Sequence, residues 1–171
     1  SSSLGRGPVG ADLVSMMEAL KHRGKDSSGI TVAGQSLEED LIVRICTDDS
    51  EKDSDMLSRI ENAIGRVGGM VKSGYSWGEF LRIALNYDGE IHDLAEALLN
   101  IEGVELHSIG RASEVIKDVG TPIAISQKHG IRKLNGTHGI GHVRMATESK
   151  VDISHAHPFW AYPFPDVTVV H

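Results

Sequence analysis

The stretch Gly136-Thr-His-Gly-Ile-Gly-His-Val-Arg-Met-Ala-Thr-Glu-Ser149 places the tightest limit on how this chain folds. Its Gly-Ile-Gly centre and the β-branched Val143 disfavour a helix and favour a strand. Arg144 then stands where that strand runs out into a polar loop, with Thr147 three residues on. With Ser154-His-Ala-His-Pro-Phe159, the region gathers three glycines, four histidines and one arginine. The glycines let backbone pack closely around one point. An arginine there suits a guanidinium fork gripping a carboxylate in a bidentate pair. Read from the residues alone, this is a small-anion pocket without a named ligand.

The elements around it are expected in mixed order. Val9, Leu13, Met16, Met17 and Leu20 recur at helical spacing, predicting a helix over 8–22 with both methionines in the core. Gly24 is the expected terminator, followed by the turn Asp26-Ser-Ser-Gly29 and a strand over 29–33. A second strand is expected over 41–46, burying Cys46 as an inert thiol. The acidic run 48–53 reads as a solvated turn, and Met56, Leu57, Ile60, Ile64 and Val67 predict a helix after it. A break is expected at Gly74-Tyr-Ser76. Ser76-Trp-Gly-Glu79 resembles a helix capping box, but Asp88-Gly89 and the apolar run favour a strand over 80–87. A helix over 92–100, a strand over 103–108 and two short helices over 112–117 and 121–128 complete the pattern. The absence of a strict βαβ rhythm predicts an α+β layered fold.

Composition narrows the function classes. With 17 basic and 24 acidic residues the net charge is −7, which argues against a nucleic-acid footprint. The only dense basic run is Lys21-His-Arg-Gly-Lys25. A single cysteine excludes an internal disulfide framework. No apolar run approaches the ~20 residues that span a bilayer, and Ser1–Gly7 has no signal-peptide core. A cytoplasmic protein with no membrane and no nucleic-acid partner is the expectation.

Five of the nine histidines follow Thr137, so a metal site has to be weighed. On a strand, His138 and His142 would share a face but lie ~13 Å apart at ~3.3 Å per residue. Neither an HExxH motif nor a Cys/His ligand set is present, so no metal is expected. A phosphate loop, a dinucleotide fingerprint and a GxSxG nucleophile elbow are also lacking.

Three segments then act together. Lys21-His-Arg-Gly-Lys-Asp-Ser-Ser-Gly-Ile30, Gly139-Ile-Gly-His-Val-Arg-Met-Ala-Thr147 and His155-Ala-His-Pro-Phe159, in that order, resemble the class II glutamine amidotransferase domain of the N-terminal-nucleophile hydrolases. Ser108–Gly120 and Ala146–Ser149 are most similar to the glutamate-synthase branch. The resemblance implies one domain over 1–171, built as an αββα sandwich of two stacked, mainly antiparallel sheets, with a family-variable insertion at about 48–105. It implies glutamine as ligand, with its α-carboxylate on Arg144 assisted around Thr147. Arg23, Asp26, His142, His157 and His171 are the implied supporting residues. Ammonia from the hydrolysed amide would pass to a synthase partner, whose FMN and iron–sulfur centres lie outside this domain; the domain itself is expected to carry no cofactor. A homo-oligomer is left open.

The family's nucleophile is an N-terminal cysteine and its oxyanion hole an Asn-Gly pair. The first would precede Ser1-Ser-Ser-Leu-Gly-Arg-Gly7 and the second would follow Val167–His171, so the catalytic residues are expected outside this segment. Cys46 cannot substitute, because it has no free α-amino group. Glutaminase activity is expected of the intact gene product and not of the segment alone. The alternatives are a non-catalytic glutamine-binding or regulatory module on the same fold, and a histidine-cluster metal hydrolase or small-anion binder.

Overall fold

The computed structural model describes residues 5–34, 40–48, 53–145 and 151–171. Ser1, Thr147 and most of the acidic run lie outside the described residues. In chain order the main elements are α1 (Val9–Ala19), β1 (Ser27–Ala33), β2 (Leu41–Thr47), α2 (Asp53–Arg66), β3 (Met70–Trp77), β4 (Phe80–Asn86) and α3 (Ile91–Leu99). They continue with β5 (Val104–Gly110), β6 (Ser113–Val119), α4 (Pro122–His129), β7 (His138–Arg144), and the two-residue strands β8 (Phe159–Trp160) and β9 (Thr168–Val169). The fold class is α+β with antiparallel pairing. The chain divides into two compact units, one from 1–36, 115–159 and 168–171, the other from 37–114 and 160–167.

The first unit is a three-stranded sheet in the order β6-β1-β7, covered by α1 and α4. Ile30 and Val32 of β1 and Ile116 of β6 meet Leu13, Val14 and Met17 of α1 and Ile125 of α4 in one buried cluster. Each such aliphatic side chain contributes about 1.5–3 kcal/mol when fully buried. The predicted helix 8–22 is shorter than its pattern, ending at Ala19 before a 3₁₀ turn over Lys21–Arg23. Met16 is 64% exposed and Leu20 is also exposed, so the core reading holds for Met17 and fails for Met16. Met16 adjoins Met17, so a helix 100° per residue carries it off the buried face. α4 follows its sequence signals closely. Thr121 Oγ1 accepts from Ala124 N–H, Pro122 opens the first turn, and Gly130 ends it at φ 65°.

The second unit is a four-stranded antiparallel sheet in the order β3-β4-β2-β5, with α2 and α3 in its apolar core. Leu41, Val43 and Ile45 of β2 alternate with Arg44, and Leu81, Ile83 and Leu85 of β4 alternate with Arg82. The strand period of two therefore sends the aliphatic residues to the helices and both arginines to the other face. The expected break at Gly74 is overturned, since Gly74 lies within β3, opposite Ile83. Nothing stands within 4 Å of a Cβ built there, so side-chain packing is not what keeps the strand. Its pairing to β4 does, closed by a two-residue turn in which Gly78 takes φ +60°.

The expected helix at 112–117 is also overturned; these residues form most of β6. Their polar letters concealed a buried strand. Arg44 and Arg82 are directly opposed across β2 and β4, a like-charge pair that needs a counter-ion. Glu114 supplies it, accepting from Arg44 Nε at 2.7 Å, Arg82 Nε at 2.9 Å and Arg82 Nη2 at 3.1 Å. The Arg44 guanidinium also lies 5.2 Å from the Trp77 ring centre. Burial alone would raise the Glu114 pKa, but the two guanidinium groups outweigh it and hold the carboxyl below its usual range. Farther along, Asp166 adopts φ 63° and one of its oxygens accepts from the N–H groups of Arg111, Ala112 and Ser113 and from Ser113 Oγ, at 2.8–2.9 Å.

Removing Glu114 leaves the buried Arg44 and the half-buried Arg82 without their shared counter-ion. Glu114→Ala is expected to lower unfolding free energy by roughly 3–5 kcal/mol in denaturant titration. Because the carboxyl pKa is lowered in the folded state, its contribution is present above the unfolded value and is lost as pH falls through the folded one. The gap between wild type and variant should therefore narrow in acid.

Candidate functional site

The site is built in the first unit on the antiparallel pair β1–β7. Its register sets Ser27 opposite Arg144, Gly29 opposite His142, Thr31 opposite Ile140 and Ala33 opposite His138. Directly opposed residues share a face. The intervening Ile30 and Val32 point to α1, as do Gly139 and Gly141, whose added Cβ atoms would strike Leu13 and Met17. Ser27, Arg144 and His142 therefore occupy the face turned away from the helices.

Two glycines bring the three sequence segments together. A Cβ on Gly24 would stand 2.3 Å from the Arg144 carbonyl carbon, so only glycine lets the first segment lie against the end of β7. Two residues on, Asp26 N–H donates to Arg144 C=O at 3.1 Å, while Asp26 C=O accepts from Gly120 N–H at 2.9 Å. A Cβ on Gly29 would stand 2.1 Å from the His157 carbonyl oxygen, so the third segment lies across β1. The role of Gly24 is thus close approach. At φ 178° its backbone is extended, and it does not act as a left-handed helix terminator.

The imidazoles of His142 and His157 lie 4.7 Å apart, and His157 meets the Phe159 ring edge-on at 4.4 Å. The His171 backbone N–H donates to His157 Nδ1 at 3.3 Å. Lys117 of β6, which is buried, donates to Ser154 C=O at 3.4 Å and sits 5.1 Å from the Phe159 ring centre. Both imidazoles have lowered pKa values. For His142 burial is the larger cause, partly opposed by a hydrogen bond with the His171 backbone, with Arg144 and His171 adding repulsion. For His157 burial again leads, followed by repulsion from His142, Arg144, His171 and Lys117. The face therefore combines permanent cations with histidines held neutral, an environment that favours an arriving anion.

Of the predicted residues, Arg144, His142, His157 and His171 come together, and Asp26 joins them through its backbone. Arg23 is exposed on the 3₁₀ turn, and Thr147 lies outside the described residues. Lys117 and Ser27 were missed. Reading 113–119 as a strand would have placed Lys117 on an alternating face, and reading 27–33 rather than 29–33 would have included Ser27.

Other chemistries find less support. Ser154, His155 and Asp152 touch, but Ser154 Oγ and Asp152 Oδ1 both approach the same ring nitrogen, His155 Nδ1, at 3.2 and 2.6 Å. A relay needs opposite ring nitrogens, so this is a turn bound by its own side chains. Cys46 is buried in β2 of the other unit. Among the described residues no group of three His, Cys, Asp or Glu side chains is placed to hold a metal ion. No helix among them is long and apolar enough to cross a membrane. A cavity of about 460 Å³ lined by Pro8, Asp12, Leu13, Met16 and His138 opens beside α1, and it contains none of the predicted site residues.

The chain is 36% identical over 168 residues to a protein of Methanothermobacter thermautotrophicus described as "Putative glutamine amidotransferase". That match takes in 95% of this chain and 55% of the relative. It is 34% identical over 155 residues to the glutamine amidotransferase-like protein GlxB of Rhizobium meliloti, covering 88% of this chain and 49% of GlxB. The chain is similar to glutamine amidotransferases. It spans about half the length of the curated relatives it matches. No protein-family model matches it.

Two outcomes test this geometry. Gly24→Ala should force the Arg144 backbone aside and cost roughly 1–3 kcal/mol of stability, as overpacking does, measurable by thermal or denaturant unfolding. Stability should also fall as pH drops below about 6.5. A histidine whose folded pKa is depressed takes up more protons unfolded than folded, so its contribution is present above the unfolded value and lost in acid. A His142→Gln/His157→Gln double variant should show a flatter stability profile between pH 7.5 and 5.

Proposed function

We propose that this chain is the substrate-holding part of a class II glutamine amidotransferase of the N-terminal-nucleophile type. The observation that carries the reading is the convergence of the three segments on Arg144, locked by Gly24 and Gly29. In this reading the Arg144 guanidinium takes the α-carboxylate of glutamine in a charge-assisted pair, and Thr147 is proposed to assist. Lys117 adds a second basic side chain to that face, beside His142, His157 and His171. The fold class proposed with it is that family's αββα sandwich, with residues at about 48–105 as the family-variable part.

The bond-breaking step is assigned to an N-terminal cysteine of the intact protein, its own α-amino group serving as base. The thiolate attacks the side-chain amide carbon, ammonia leaves with the proton, and water hydrolyses the thioester to glutamate. The ammonia acceptor is proposed to be a cytoplasmic glutamate synthase domain or subunit, to which the FMN and iron–sulfur chemistry would belong. Support for that branch comes from Ser108–Gly120 and Ala146–Ser149 alone.

Full-length protein should release ammonia from L-glutamine in a coupled assay. Arg144→Ala removes two charge-assisted hydrogen bonds, together roughly 3 kcal/mol, so kcat/KM should fall about 10²-fold. Glutamine binding without ammonia release, with or without a synthase partner, would instead identify a regulatory binding module. Absence of both binding and release would defeat the reading.

A further inference from the structure

We propose that the Ser27 hydroxyl is a second direct contact to the carboxylate gripped by Arg144, an inference that rests on the reading above. Ser27 is 0% exposed, yet its Oγ has no hydrogen-bond partner among the described residues. Buried hydroxyls are nearly always paired, and an unpaired one weakens the fold unless something else uses it. The neighbouring Ser28 shows the usual outcome, donating to Gly120 C=O at 2.8 Å. Ser27 alone of the two is left unsatisfied, and it is the one directly opposite Arg144.

Directly opposed residues of an antiparallel pair have Cβ atoms about 4.5–5.5 Å apart. The proposal places the carboxylate between the Arg144 guanidinium and the serine hydroxyl of the same rung. Arg144 is half-buried, so the rung is approached from its side. Asp26, which precedes Ser27, donates its N–H to the Arg144 carbonyl, and Gly24 lies against that carbonyl, so the two strand ends are fixed relative to each other. The hydroxyl would donate to one carboxylate oxygen while the guanidinium donates to both.

Two other buried polar atoms on this face are unpartnered, and they discriminate. His142 Nδ1 is one rung away and Thr31 Oγ1 is two rungs away, opposite Ile140. At ~3.3 Å per residue, Thr31 lies ~13 Å along the strand from Ser27, beyond a ligand held at Arg144. Thr31 is therefore an internal control, an equally orphaned hydroxyl with no route to the ligand.

The test uses full-length protein and L-glutamate, which keeps the α-carboxylate and is not consumed. Ser27→Ala should weaken L-glutamate binding about 10-fold by calorimetry while leaving the melting temperature of the unliganded protein unchanged or higher. Ser27→Cys, a weaker donor of similar size, should fall between the two. Thr31→Val should leave the affinity unchanged. A lowered melting temperature with unchanged affinity for Ser27→Ala would overturn the proposal, because the hydroxyl would then serve the fold. Equal loss of affinity in Ser27→Ala and Thr31→Val would overturn it too. Arg144→Ala separates the levels. If it abolishes binding while Ser27→Ala leaves the affinity unchanged, this inference alone fails. If Arg144→Ala binds like wild type, or wild type binds neither L-glutamate nor L-glutamine, the functional reading fails and takes the inference with it.

Discussion

The close backbone contact between Gly24 and Arg144 is the constraint on which the site depends. It joins segments 120 positions apart in the chain, and it fixes how β1 and β7 meet. Strand pairing has a period of two, so a one-residue slip would turn Arg144 and His142 toward α1 and bring Val143 to the polar face. The Asp26–Arg144 hydrogen bond and the docking of the His157 carbonyl on Gly29 act in the same direction. At Gly24 and Gly29 the absence of a side chain at one position places the backbone of another.

The two units handle buried charge in opposite ways. In the second, Glu114 bridges Arg44 and Arg82 with short hydrogen bonds, so each of the two guanidinium groups has a protein partner. In the first, cations and neutral histidines line one face of the sheet, while buried hydroxyls there lack partners. A satisfied network adds rigidity, whereas a partly satisfied one has hydrogen-bonding capacity left for a ligand.

Much of the site was legible because its segments carry glycine, proline and arginine, residues whose backbone or charge requirements are strong. Gly139-Ile-Gly141 marks a strand wherever it stands, and the helix ends at Thr121-Pro122 and Gly130 follow from local chemistry. The errors fall where local preference was weak. β6 carries Glu114, Lys117 and Asp118, which read as a short polar helix until their buried partners are known. β3 holds a glycine at its centre and little apolar pattern, so only its pairing to β4 defines it. Met16 sits on a helical stripe whose width the sequence does not state.

By itself the sequence determined which residues bring the chemistry, namely one arginine at a strand end, a group of histidines, and glycines that permit close approach. Those properties are covalent and travel with the residue. Only the tertiary structure decided which of them meet. It set the arginine beside Ser27 and His142, left Arg23 on an exposed turn, and brought in Lys117 from a strand misread as a helix. The physical reason is that register, face and burial belong to pairs of segments, and no single segment contains them.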